Sequence, residues 1–101
     1  MSEPAIVLNV TNHERAVDAS KNPSNASDRE LRRAIRYYTE DRRESKRKAK
    51  KTKSLMDYHK DVGYDTGWDE ITIKGYSSRV EKNNTAIRAL QNELSRRRNR
   101  V

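Results

Sequence analysis

From Ser27 to Val62 the chain contains neither glycine nor proline, and its apolar and small residues return at helical spacing. Leu31, Ala34, Tyr38, Ser45, Ala49, Thr52 and Met56 project into an arc of about 60° on a helix of about 100° per residue. His59 lies beside that arc, and Arg42 is the residue that interrupts it. Ser27 followed by Glu30 is a capping-box pattern, in which each side chain closes an otherwise unpaired N–H of the other residue. These features predict a helix over residues 28–62, about 34 residues and about 50 Å long.

Other punctuation places the remaining elements. Thr11 with Glu14 forms a capping box that predicts a short helix near 12–20, followed by a loop containing Pro23. Gly63 and Gly67 bracket a reversal, and Ile71-Thr72-Ile73-Lys74 shows a strand-like alternation that could pair with residues 5–10. Gly75 then reads as a break, and Ser78 with Glu81 as the cap of a helix over 78–98. That helix offers Val80, Ile87, Leu90 and Leu94, with Asn83 where a heptad would place an apolar residue, a choice that favours register over strength.

The expected architecture is all-α with minor strand content: an N-terminal appendage over 1–26 and an elongated helical hairpin over 27–101, with its turn at 63–77. The seam of the long helix is large at its ends and small at Ser45, Ala49 and Thr52, which suits the close approach of a second helix. The C-terminal stripe would cover only about 21 Å of a seam about 42 Å long. A homodimer, with long helices crossing or antiparallel as a helical bundle and basic faces outward, would cover the remainder.

Charge decides what the outer face can meet. The chain of 101 residues carries a net charge of +8, with 38% charged and 32% hydrophobic residues. Residues 42–53 hold eight cations against the single carboxylate of Glu44. Such a face needs water or a polyanion, since burying one unpaired charge costs several kcal/mol, of the order of a whole side chain's packing. Arg42, Arg43, Lys46, Arg47, Lys50, Lys51 and Lys53 are the candidate phosphate contacts, and Arg97 within Arg96-Arg97-Arg98-Asn99-Arg100 extends them. Trp68 is expected to cap the hairpin core beside Tyr64 and Tyr58, with stacking on a base as its functional alternative.

Catalytic and metal chemistry find no foothold. There is no cysteine, the histidines are His13 and His59 alone, and no glycine loop cradles a phosphate. Asp65, Asp69 and Glu70 cluster in the turn segment and read as solvated, so neither enzyme activity, metal nor cofactor is expected. No apolar run approaches a membrane span, which points to a cytoplasmic or nuclear protein. Lys46 to Lys51 also matches a nuclear import pattern, a frequent coincidence in basic chains.

The pattern therefore predicts a non-enzymatic, largely sequence-independent binder of duplex nucleic acid, RNA ahead of DNA, that coats or sequesters its ligand. The alternative is an interaction protein whose basic helix docks on an acidic protein surface or nucleic-acid channel. In size, charge and helical plan the chain resembles small viral proteins that sequester double-stranded RNA and suppress silencing, a resemblance of composition that covers no diagnostic residue.

Overall fold

The computed structural model describes residues 3–99, with side chains described from Asn12 onward. Its elements are α1 (Glu3–Lys21), a 3-10 turn (Pro23–Asn25), α2 (Asp28–Asp61) and α3 (Gly67–Arg98). Among the described residues there is no strand. The radius of gyration is 18.1 Å, against about 13 Å for a compact chain of this length. The molecule is a thin slab, 60 × 42 × 16 Å, built on the antiparallel pair α2 and α3.

Local chemistry fixes the ends of α2. Ser27 N–H donates to Glu30 Oε1 at 3.2 Å and Glu30 N–H to Ser27 Oγ at 3.1 Å, completing the expected capping box. The far end closes as a Schellman motif: Gly63 N–H donates to Lys60 O and Tyr64 N–H to His59 O. Gly63 sits at φ +81°, the left-handed conformation in which a Cβ would be strained. Immediately afterwards Asp65 Oδ1 accepts from Gly67 N–H at 3.0 Å, and Asp69 and Glu70 occupy the first turn of α3, where the helix dipole favours negative charge.

That early start corrects the expected boundaries. The turn occupies 62–66 in place of 63–77, and α3 is 32 residues long in place of the helix over 78–98. Residues 71–74 are helical, so the expected strand is absent there, and residues 5–10 are also helical within α1, which begins at Glu3 instead of near residue 12. Packing explains the outcome at 71–74. Ile73, Tyr76, Val80, Asn83, Ile87, Leu90 and Leu94 all keep the three-four spacing of one helical face, and all are buried or half-buried. That face matches Leu31, Ile35, Tyr38, Arg42, Ser45, Ala49, Thr52, Met56 and His59 on α2, each also buried or half-buried. A glycine costs a helix interior only about 1 kcal/mol, less than a turn of seam returns when it packs.

With α3 about 48 Å long, the seam of α2 is covered from Leu31 to His59 within a single chain. The length mismatch that called for a second long helix is absent. Apolar burial is concentrated at the end opposite the turn, where Ala16 and Ala19 of α1, Leu31, Ala34 and Tyr38 of α2, and Ile87 and Leu90 of α3 form the core. There α1 is tied to α2 by His13 Nδ1 and the Tyr37 hydroxyl, 2.7 Å apart, and by the Ser20 and Tyr38 hydroxyls, 3.3 Å apart.

At Gly75 an added Cβ would meet no atom within 4 Å. Gly75→Ala should therefore stabilise the protein by about 0.5–1 kcal/mol through helix propensity and unfolded-state entropy, measured by urea denaturation; destabilisation would mean that α3 breaks at this residue.

Candidate nucleic-acid interface

The basic face is held in place by what stands behind it. Midway along the seam, Asp41 accepts two hydrogen bonds from Arg79, at 2.8 and 2.7 Å, and one from Asn83 at 2.9 Å. The next residue, Arg42, donates to Asn84 at 2.7 Å. Asn83 is only 4% exposed, so the heptad asparagine has a specific carboxylate partner on the opposite helix. At the turn end, His59 Nδ1 donates to Asp69 Oδ2 at 2.7 Å. At the base, Arg97 bridges Asp28 and Glu93 and donates to the carbonyls of Pro23 and Ala26. Between these clasps sit Ser45, buried, and Ala49, Thr52 and Met56, half-buried, so each residue assigned to the seam faces inward as the periodicity implied.

The outer face of α2 is a cationic stripe. Directly opposite the seam lie Arg29, Arg32, Arg33, Arg36, Arg43, Arg47, Lys50 and Lys51, all exposed, with Glu40 the only carboxylate among them. The stripe runs for about 33 Å. Among the described residues only Arg47 of this set is in an ion pair, with Glu44 at 2.6 Å. Lys46 and Lys53 are exposed on its flank. The outer face of α3 is mixed in sign, with Lys74, Glu81 and Arg88 exposed along it. The hairpin therefore has one strongly cationic edge.

Two site assignments change. Arg97 is a clasp at the base of the hairpin, with its side chain 22% exposed and its guanidinium already bonded to Asp28 and backbone carbonyls, so it is not available to a phosphate. Trp68 does not cap the core: it is 81% exposed, beside Asp65, Asp69 and Glu70, whose carboxylates would repel a nucleic-acid backbone brought up for stacking. Arg42 is half-buried and shares its charge with the seam. Arg100 lies outside the described residues. Arg29, Arg32, Arg33 and Arg36 were the omission, and their signal was available: they continue the same helical phase as Arg43, Arg47 and Lys50.

Two further clusters of ionic groups are held in part by internal bonds. The groove of about 670 Å³ beside α1 contains His13, Asp41, Arg79 and Lys82, but His13 lies against Tyr37 and Asp41 is held by Arg79. In the acidic turn segment Asp65 caps α3 and Asp69 accepts from His59. Among the described residues no group of three or more His, Asp or Glu side chains could hold a metal ion, and no helix is long and apolar enough to cross a membrane.

The bonds from Arg79, reinforced by Asn83, hold the Asp41 carboxyl below its ordinary value against the opposing effect of burial. A depressed folded-state value adds stability that is present above about pH 4 and lost as pH falls through the folded value. Asp41→Asn should lower stability by about 1 kcal/mol at pH 7, Arg79 being largely solvated, and should flatten the acid limb below about pH 4. Urea midpoints measured across pH 2–7 test this; parallel curves for the two proteins would place the acid sensitivity elsewhere.

The chain matches no protein-family model, no curated protein and no solved structure.

Proposed function

We propose that the protein is a non-enzymatic binder of duplex nucleic acid that engages the phosphate backbone through the outer face of α2, largely without regard to sequence. The observation that carries this reading is the stripe from Arg29 to Lys51, eight exposed cations with Glu40 among them and Glu44 paired to Arg47 at its side, mounted on a helix whose other side is clasped to α3. Its length of about 33 Å is close to ten steps of a duplex at about 3.4 Å per phosphate on one strand. Neutralising several phosphates releases counterions and supplies affinity without any base contact.

Composition supports the lack of sequence preference. Helix α2 contains no asparagine or glutamine, the side chains that read adenine edges in pairs of hydrogen bonds. Arginine and lysine alone can reach guanine, but their first partners on a duplex edge are phosphates. One hairpin is sufficient for this interface, so a dimer of long helices is not part of the proposal. An intracellular protein that coats or sequesters duplex RNA or DNA fits this surface.

Titration with random-sequence RNA and DNA duplexes at increasing salt tests the reading. Affinity should fall linearly on a log–log plot and be similar for unrelated sequences, and Arg36→Gln or Lys50→Gln should each reduce the slope by about 1. Absence of binding to either duplex at low salt would overturn it in favour of docking on an acidic protein surface.

A further inference from the structure

The large hydrophobic side chains that remain exposed, among the described residues, gather at one place. Leu55, Tyr58, Val62, Tyr64, Trp68 and Ile71 flank the hairpin turn, with Tyr64 65%, Trp68 81% and Ile71 63% exposed. Exposed apolar side chains concentrated around one turn of an otherwise polar chain mark a contact site. Its charge is opposite to that of the stripe: residues 54–72 hold five carboxylates and one lysine. The turn presenting it is well held, by the Schellman bonds at Gly63, the Asp65 cap and the His59–Asp69 contact.

Carboxylates interleaved with open aromatic rings complement a surface of arginine and lysine. The carboxylates pair with the cations, and the rings accept guanidinium or ammonium groups on their faces. An anionic membrane or a nucleic-acid backbone would instead meet repulsion from the five carboxylates. The chain already carries the matching surface, on the outer face of α2. The tip cannot reach it intramolecularly, because α2 is clasped to α3 along the seam and its stripe points away from that seam.

We propose that the acidic, aromatic tip of one molecule docks on the cationic face of α2 of a second copy, head to tail. The two surfaces are different patches, so the contact is heterologous and a docked pair keeps one free tip and one free stripe, giving open chains instead of a closed dimer. Duplex nucleic acid would compete for the stripe and disperse such chains. The test below contains no nucleic acid, so its failure leaves the duplex-binding reading intact.

Sedimentation of the full chain at about 20 mM salt should show a mean mass that climbs above the 11.8 kDa monomer as concentration rises, without a plateau at the dimer, and that returns to monomer at about 300 mM salt. A tip variant, Trp68→Ala with Asp61→Lys, and a stripe variant, Arg43→Glu with Lys50→Glu, should each be monomeric and retain the helical circular-dichroism signal. Mixed in equal amounts they should form a species of twice the chain mass, the intact tip of one on the intact stripe of the other. A wild-type protein that stays monomeric, a plateau at the dimer, association by either variant alone, or a mixture that remains monomeric would each overturn the proposal.

Discussion

Two helices of about 50 Å must stay in register although their fully buried apolar residues lie at one end of the hairpin. Leu31 and Leu90, both 0% exposed, anchor the base beside α1, whereas the seam from Ser45 towards the turn offers only small or half-buried side chains. Sliding by a heptad would cost that half little apolar contact. Polar contacts resist it: Asp41 with Arg79 and Asn83, Arg42 with Asn84, His59 with Asp69, and Asp28 with Arg97 all join one register of the antiparallel pair. A shifted register would leave a half-buried carboxylate and a buried amide without partners, at about 1–3 kcal/mol each.

The same division of labour sets the surface. Because α2 spends its narrow side on α3, about half of its circumference is free, and the charges there need not compromise with packing. Ser45, Ala49 and Thr52 face inward where the stripe is densest, so small residues on one side stand behind cations on the other. Beyond Lys53 the sign reverses. The basic edge and the acidic tip thus lie in sequence on one hairpin, a separation of charge that opposes uniform repulsion between copies with a net charge of +8.

Much of this was legible in the chain. The inward face of α2 followed from its period, its start from the Ser27 and Glu30 pair, and its end from Gly63. The first third of α3 was not, because Ile71-Thr72-Ile73 satisfies a two-residue alternation as well as a helical one and Gly75 argues locally for a break. Tertiary packing decided between them: Ile73 and Tyr76 are in phase with Val80, and only the presence of α2 opposite makes that phase worth more than a glycine. Arg97 was misplaced for a related reason. Its partners Asp28 and the carbonyls near Pro23 are distant in sequence, and a terminal arginine run looks solvated until the fold returns it to the base of the hairpin. The four arginines between Arg29 and Arg36 were visible in phase but overshadowed by the denser block that follows.

On the proposed reading, a preformed hairpin meets nucleic acid with one cationic edge while its seam and tip stay out of the contact. Backbone amide chemical shifts of the labelled protein, kept dilute enough to be monomeric and followed during titration with a short RNA duplex, provide the test. The account predicts perturbations concentrated on the outward residues of α2 from Arg29 to Lys51, with Asn83, Ile87 and Trp68 unmoved. Perturbations centred on Trp68 and the turn, or loss of the seam signals on binding, would contradict it.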